Sequence, residues 1–321
     1  MPAWSFQSPL VRLQQRAFLL AEIRQFFQER AVLEVQTPIV SSAANTDQQI
    51  DVFSTEAIHP DKQNAYLRTS PEFFHKRLLA SGSGDIFEIA PVFRRGEISS
   101  LHNPEFTLLE WYRLNFDMSS LMTEVDDLFH KLATLFELNL NNTKRISYQT
   151  LFIEIAGIDP FNVSCKALNE FCLKHGYHGS DLSRTAALDF VFAVVIQPQL
   201  KNNDGILVYH FPIEQAALAQ ANPKDPGTCL RFELIYRGIE LANGYQELQD
   251  EIQQRQRFEL DLEWRHQHNK QALPMDEHLL SALKHGMPAC SGVALGVERL
   301  HMCLTQANDI REVMGFDAHN S

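Results

Sequence analysis

The segment 93–113 constrains the fold most, because it combines an arginine, a turn and an apolar strand that carries a carboxylate. After Pro104 the apolar residues recur with a period of two, which predicts a β-strand. Glu110 is therefore expected to share one face of this strand with two aromatic rings and a leucine. The predicted faces are Phe106, Leu108, Glu110 and Tyr112 on one side, and Thr107, Leu109, Trp111 and Arg113 on the other.

A carboxylate on an apolar face requires a cationic partner, because burying an unpaired charge costs several kcal/mol or more. A ligand amine or an internal Arg or Lys could fill this role for Glu110, and a solvated sheet face is the simplest alternative. The neighbouring residues favour a ligand. Arg94 precedes the turn and suits a phosphate or a carboxylate. His102 and Asn103 follow the turn, and the ring of Phe106 offers a flat surface on which a base could stack.

Residues 93–113 resemble motif 2 of the class II aminoacyl-tRNA synthetases, in the form of the lysyl branch. Residues 10–38 resemble motif 1, an amphipathic helix followed by a strand that Pro38 closes, which builds the homodimer interface in that family. Residues 292–299 resemble motif 3, a glycine-bearing strand that leads into a helix near Arg299. The resemblance covers nearly the whole chain. It implies an α+β fold, with an antiparallel sheet flanked by helices.

The resemblance also implies one catalytic domain over residues 1–321, with a helical insertion around residues 145–200. Helices are predicted over residues 119–139 and over residues 164–200, and the stretch 146–161 is interpreted as a mixed connection that contains Gly157 and Pro160.

A further helix is predicted to begin at the sequence Ser70-Pro71-Glu72, with Ser70 as N-cap and Pro71 as the first helical residue. Helix capping alone would explain this pattern. The preceding residues 41–64 are polar and acidic, and they predict a loop or short strands.

The composition is that of an ordinary globular enzyme, with 321 residues of which 45 % are hydrophobic and 21 % charged. We find no signal-peptide pattern and no apolar run of the roughly 18 residues that span a membrane, so we expect a cytoplasmic protein. The 5 cysteines include no Cys-x-x-Cys pair, which favours reduced thiols. Acidic residues outnumber basic ones by 40 to 28, which argues modestly against nucleic acid as a partner.

Residues 228–248 predict a second strand pair, which turns at residues 237–238. The pairing is expected to bring Glu233 and Glu240 close together. Such carboxylates repel each other unless a cation lies between them, and they suit Mg²⁺ when nucleotide phosphates complete its coordination shell. A solvent-facing acid pair separated by Arg231 or Arg237 is the alternative.

For the nucleotide, the resemblance implies that Arg94 holds the α-phosphate and the amino-acid carboxylate, and that Arg299 holds the γ-phosphate. Glu240 is the third residue with an expected catalytic role, and it would bind Mg²⁺ together with Glu233. The other residues expected at the ATP site are Arg95, Gly96, His102, Asn103, Phe106, Leu241 and Gly296.

For the amino acid, the resemblance implies a pocket for a lysine-like substrate, because a buried ammonium has three donors to satisfy. Ala294 stands where the lysyl branch has glycine, and its methyl group would favour the shifted amine of a β-amino acid. The expected pocket residues are Glu110, Tyr112 and Glu247 at the side-chain ammonium, Ser70, Pro71 and Glu72 at the other amine, and Asn243 at the carboxylate.

Motif 1 begins at residue 10, so we expect that the N-terminal anticodon-binding barrel of bacterial lysyl-tRNA synthetases is absent. This architecture resembles the short lysyl-synthetase paralogues that join (R)-β-lysine to a lysine ε-amine of elongation factor P. The resemblance therefore implies a homodimeric, AMP-forming ligase that uses ATP and Mg²⁺. Its expected acceptor is elongation factor P rather than tRNA, and no membrane partner is expected.

Two alternatives remain open at the level of sequence. The first is a truncated lysyl-tRNA synthetase that charges tRNA. The second is a non-catalytic regulator that binds nucleotide or amino acid. Gly96 supports the regulator, because both synthetase groups generally carry glutamate at this position and Glu97 comes one residue late.

Overall fold

The computed structural model describes residues 8–56 and 64–321. The prediction for residues 41–64 thus lies partly outside the described residues. On either side of that gap, the short strands β2 (Val40–Ser41), β3 (Ser54–Glu56) and β4 (Asn64–Leu67) form a small sheet, in the order β2-β4-β3.

The central element is an eight-stranded sheet with the order β1-β5-β6-β11-β10-β9-β8-β7. Its inner strands pair antiparallel, whereas β1 with β5 and β7 with β8 pair parallel. The predicted α+β fold is confirmed, and the parallel pairs lie at the two edges. The strands are β1 (Leu33–Glu34), β5 (Ile86–Phe93), β6 (Glu105–Leu114), β7 (Lys144–Ser147), β8 (Ile206–Tyr209), β9 (Arg231–Tyr236), β10 (Ile239–Gln246) and β11 (Cys290–Gly296).

Helices cover the sheet. None of the described helices is long and apolar enough to cross a bilayer. The helices are α1 (Leu10–Gln28), α2 (Glu72–Ala80), α3 (Met118–Leu135), α4 (Tyr148–Ala156), α5 (Cys165–Lys174), α6 (Arg184–Phe190), α7 (Gln197–Gln199), α8 (Glu251–Gln267), α9 (Glu277–Gly286) and α10 (Val297–Thr305).

The alternation predicted for β6 is confirmed. Leu109 and Trp111 are fully buried in the main core, where α1 and α3 pack against the sheet. The rings of Phe27 and Trp111 meet edge to face, with centroids 5.3 Å apart. The opposite face of β6, which carries Glu110, opens onto a cavity. One strand thus serves the core with its odd-numbered residues and the cavity with its even-numbered ones.

The prediction of one helix over residues 164–200 is wrong. Helix α5 ends at Lys174, and Gly176 follows with a φ of +92°, a conformation that favours glycine and ends helices. The chain becomes helical again at α6, which Ser183 caps, and it continues as a π-helix over Val191–Ile196.

The stretch 146–161, predicted as a mixed connection, combines a strand end, a helix and a turn. This stretch contains the end of β7 and the whole of α4, which Ser147 caps and Gly157 ends at a φ of +66°. Together, residues 144–209 build a second core around Tyr148, Phe152 and Leu168, which also includes Ile235 of β9. The insertion therefore packs against the face of β9 that carries Glu233, because Ile235 and Glu233 are two residues apart on one strand.

Candidate active site

A cavity of about 330 Å³ lies over β6, β10 and β11. Acidic side chains gather at one end of the cavity, and Arg94 and Arg299 lie at the other. The predicted residues that line it are Ser70, Glu72, Arg94, His102, Asn103, Phe106, Glu110, Tyr112, Glu240, Leu241, Asn243, Glu247, Ala294, Gly296 and Arg299.

Arg299, in the first turns of α10, anchors the basic end of the cavity. Its guanidinium lies 3.1 Å from the carbonyl oxygen of Glu240 and 2.6 Å from Nε2 of His102. Burial and the neighbouring arginine charge lower the pKa of His102, which keeps its imidazole neutral. A neutral ring that accepts from Arg299 at Nε2 has its proton on Nδ1, which lies 2.7 Å from Oγ of Ser99. Both groups are thereby held in place beside the cavity.

Arg94 lies at the mouth of the same end, with its guanidinium carbon 5.1 Å from the centre of the Phe106 ring. A nitrogen of this guanidinium is 3.8 Å from a carboxylate oxygen of Glu97, which also lines the cavity. Arg94 is half-buried and has no closer carboxylate among the described residues, so it has donors free to hold an anion.

Arg95 and Gly96 are exposed on the turn and do not line the cavity. Gly96 has a φ of +85°, in the left-handed region where a glutamate would be strained. The backbone of this turn therefore explains why glycine stands here. Glu97, the next residue, provides the carboxylate that faces Arg94.

The two carboxylates expected to bind Mg²⁺ have different surroundings. Glu240 faces the cavity, and one of its carboxylate oxygens is 3.5 Å from Arg299. Glu233 is buried outside the cavity lining, 2.5 Å from the guanidinium of Arg231. In the strand pairing Glu233 lies opposite Asn243, not opposite Glu240. Burial raises the pKa of Glu233 to about 7, although Arg231 opposes this shift.

The part of the chain that the structure describes contains no cluster of three or more His, Cys, Asp or Glu side chains arranged for a metal ion. Mg²⁺ needs only one or two carboxylates when phosphates supply other ligands. Glu240 fits that requirement as it stands. Glu233 fits it only if Arg231 moves away.

Glu110 is the centre of the acidic end. Its carboxylate accepts hydrogen bonds from Oγ of Ser70 at 2.8 Å and from the phenol of Tyr112 at 2.9 Å. Burial and the nearby carboxylates raise the pKa of Tyr112 well above its usual value, so the phenol remains a donor. The imidazole of His75 also lies beside Glu110, with its Nδ1 3.4 Å from a carboxylate oxygen.

Helix α2 begins at Glu72, so Pro71 occupies the capping position rather than the first helical position and does not line the cavity. Ser70 still accepts a hydrogen bond from the backbone N–H of Glu72, at 3.0 Å. Its hydroxyl also donates to Glu110. The prediction of Ser70 as N-cap is therefore wrong by one residue, although its hydroxyl contacts both the first turn of α2 and Glu110.

Lys76 bridges the remaining two carboxylates of the acidic end. Its Nζ is 2.7 Å from Glu72 and 2.6 Å from Glu247. Burial raises the pKa of Glu247 to about 8, and the Lys76 ammonium opposes this shift. In turn the two carboxylates raise the pKa of Lys76 despite its burial, so the lysine stays charged.

The floor of the cavity is formed by β11, which lies between β6 and β10. Ala294 pairs with Glu110 on one side and with Asn243 on the other. Asn243 donates to the phenol of Tyr245 at 3.2 Å, while its side-chain carbonyl oxygen is buried without a partner among the described residues. A hydrogen-bond donor of a bound molecule could pair with this oxygen.

The arrangement of this sheet and cavity agrees with comparisons of the whole sequence. The family model of the class II tRNA synthetases (D, K and N) matches residues 7–320. The chain belongs to this family. The resemblance inferred from the three motifs is thereby confirmed.

Within the class II family, the chain is similar over its whole length to curated elongation factor P–(R)-β-lysine ligases. The protein from Haemophilus influenzae strain PittGG is 44 % identical over 322 residues, covering 99 % of this chain and 98 % of the relative. The protein from Haemophilus ducreyi is 45 % identical, covering 98 % and 95 %. The protein from Pseudoalteromonas translucida is 42 % identical, covering 98 % and 97 %.

Sequence reasoning missed several charged residues at this class II site. His75 and Lys76 stand three and four residues after Glu72, the spacing that places side chains on one face of a helix, and this signal was present in the sequence. Arg68 and Glu88 complete the buried cluster with an ion pair of 3.0 Å. Glu97, Arg231 and Tyr245 also line the cavity without having been predicted there.

Proposed function

We propose that this chain activates (R)-β-lysine with ATP and transfers it to the ε-amine of a lysine of elongation factor P. The observation that carries the proposal is a single cavity with free arginine donors at one end and an acidic cluster at the other. Full-length relatives at 42–45 % identity named as elongation factor P–(R)-β-lysine ligases support the choice of substrates.

In the first step, a carboxylate oxygen of the amino acid attacks the α-phosphorus of ATP. The new bond gives an aminoacyl-adenylate, and the bond to pyrophosphate breaks. Arg94 would hold the α-phosphate and the attacking carboxylate, and Arg299 would hold the far end of the phosphate chain. Positioning and charge neutralisation of this kind suffice for phosphoryl chemistry, so no side-chain nucleophile is required.

Mg²⁺ at Glu240 would supply neutralisation of phosphate charge when bound. Phe106 would stack on the adenine, and the backbone of Leu241 and Gly296 would border the nucleotide. Arg95 and Gly96 would contribute through the backbone of the turn, which the exposed position of both residues allows.

In the second step, the lysine ε-amine of the acceptor attacks the acyl carbon, AMP leaves, and an amide bond forms. Glu110, Tyr112 and Glu247 would hold one ammonium of the substrate, while Ser70 and Glu72 would hold the other. We place this reaction in the cytoplasm. We also propose that the enzyme works as a homodimer formed through motif 1.

Pyrophosphate exchange measured with (R)-β-lysine and with α-lysine tests the first step, and intact mass of elongation factor P after incubation tests the second. We expect faster exchange with (R)-β-lysine and a mass gain that ATP omission abolishes. The Arg299→Lys variant should lose most of the exchange, because an ammonium cannot replace the planar guanidinium. No exchange with either amino acid would favour the non-catalytic regulator, and acid-stable charging of tRNA at the faster rate would favour the truncated synthetase.

A further inference from the structure

His75 is a buried histidine that the proposed reaction does not use. It projects from α2 between Glu88 of β5 and Glu110 of β6, which are direct partners in the strand pairing. Its Nε2 is 2.9 Å from Oε2 of Glu88, and its Nδ1 is 3.4 Å from Oε1 of Glu110. The imidazole therefore links a carboxylate behind the cavity to the carboxylate at its acidic end.

Both ring nitrogens of His75 face carboxylate oxygens. A neutral imidazole has one N–H, so its other nitrogen would direct a lone pair at a carboxylate. Nδ1 makes no hydrogen bond to Glu110 at its present distance, and only the imidazolium presents an N–H to each carboxylate. Burial lowers the pKa of His75, but the carboxylates of Glu110 and Glu88 outweigh burial and raise it overall. With the cavity free of substrate, the geometry thus favours the protonated ring.

The charges around His75 come from each element packed against it. On its own helix are Glu72 and Lys76, and Lys76 also pairs with Glu247, which follows β10. Behind the ring, Arg68 pairs with Glu88 at 3.0 Å. In front, the phenol of Tyr112 bonds to Glu110, and its ring lies 5.4 Å from the imidazole.

When all four carboxyl groups of this cluster are ionised and the imidazole is neutral, the carboxylates exceed the permanent cations by two charges. The carboxylates are Glu72, Glu88, Glu110 and Glu247, and the permanent cations are Arg68 and Lys76. A substrate with two ammonium groups supplies the two missing charges. If the imidazole stayed protonated as well, the buried cluster would carry an uncompensated positive charge, which is costly.

We propose that His75 is a positioning residue that holds Glu110 in the empty cavity and releases its Nδ1 proton when a substrate ammonium reaches Glu110. The inference rests on the proposed function, because it takes the substrate to be a diamino acid bound at this end. No bond to the substrate forms or breaks. The substrate enters already protonated, and one proton leaves the ring for the solvent.

Release of a proton couples amino-acid binding to pH. Binding tightens as the pH rises through the pKa that His75 has in the substrate-free protein. The reason is that a smaller fraction of the protein then carries a proton that binding must displace. The dissociation constant should fall by up to about tenfold per pH unit in this range, and it should level off above it. A histidine that only fills space would produce no such dependence.

The first test uses the unaltered protein with ¹³C-labelled histidine. NMR of the imidazole carbon–proton pairs is recorded as (R)-β-lysine is added without ATP, and His75→Gln assigns the signal of interest. We expect one imidazole signal to move from the imidazolium position to the neutral position. If the amino acid binds and the His75 signal stays at either position throughout, the inference is wrong.

The second test measures binding by calorimetry in two buffers with different ionisation enthalpies, for the wild type, His75→Gln and the exposed control His285→Gln. Glutamine keeps two hydrogen-bonding groups but cannot titrate. Protons released from Glu72 or Glu247 would appear in all three proteins, so the share of His75 is the difference between wild type and His75→Gln. We expect a pH-dependent dissociation constant that His75→Gln flattens and His285→Gln retains.

The two hypotheses fail in different ways. No binding of (R)-β-lysine to any of the three proteins would overturn the proposed function. Binding with equal proton release in all three would overturn the role of His75 alone. If His75→Gln does not fold, the NMR signals of the wild-type imidazoles during addition of (R)-β-lysine still show whether a histidine loses its proton on binding.

Discussion

The ammonium group of Lys76 neutralises carboxylates of the pocket, as the ammonium group of a bound substrate would. It is buried to 1 % exposure and contacts two of the carboxylates that we assign to the amino-acid pocket. The carboxylates at this end therefore divide into a pair that the protein neutralises itself and Glu110, which neutral donors and one histidine surround. Glu110 is the carboxylate best placed to receive an incoming cation.

We predict that Lys76→Met destabilises the fold by about 3–5 kcal/mol, because it leaves Glu72 and Glu247 buried without their cation. Without Lys76, burial raises the pKa of both carboxyl groups further above their unfolded values. Wild-type Glu247 loses its proton at about pH 8 beside Lys76, whereas the variant keeps that proton to higher pH, so the deficit should grow between about pH 7 and about pH 9. Urea denaturation across this range measures it.

Arg77→Met, one residue later on α2, is the matched control, because Arg77 is half-exposed. It should change stability little at any pH. A Lys76→Met deficit that is the same at every pH would contradict the assignment of two ionised partners.

At the scale of elements, the sequence predicted β6 well and the charged cluster poorly. Pro104 and the period of two were sufficient for β6, because both signals are local. Apart from Glu72 on the same helix, the partners of His75 and Lys76 lie 13 to 171 residues away on β5, on β6 and just after β10, and no local pattern connects them. The break after α5 depended on Gly176, whose left-handed conformation ended a helix that the apolar pattern alone would have continued.

Side chains of the pocket lie very close to the backbone of β11 at Gly292, so the absence of a side chain there determines the shape of the pocket. A methyl group at Gly292 would collide with the Tyr112 ring and lie 2.7 Å from a carboxylate oxygen of Glu247. We therefore predict that Gly292→Ala raises the KM for the amino acid at least about tenfold, as expected for an ångström-scale misplacement. The KM for ATP should remain near that of the wild type.

Steady-state pyrophosphate exchange with each substrate varied in turn measures this division. Gly227→Ala is the control, since a methyl group there meets only Asp225 at an ordinary distance of 3.5 Å. Equal losses for both substrates would show that Gly292 supports the sheet as a whole rather than the amino-acid pocket.

At the scale of the whole molecule, the two ends of the main sheet differ. Strands β7 and β8 join the insertion to the sheet, and their core includes Ile235 of β9. We propose on this ground that the insertion and the catalytic sheet form one domain. The other edge ends in β1, a two-residue strand whose Leu33 is 55 % exposed. At the start of α1, also in motif 1, Leu10 and Val11 are exposed as well.

We predict that these exposed motif 1 residues are covered by a second copy of the chain, because large apolar side chains on a sheet edge are stabilised by burial. Light scattering should give a dimer mass for the wild type, and Leu33→Asp should shift the protein to monomer by burying an unpaired charge at the interface. Leu173→Asp is the control, since Leu173 is equally exposed on the helical insertion. It should leave the dimer intact. A monomeric wild type at micromolar concentration, or equal dissociation by both substitutions, would show that motif 1 does not form the interface.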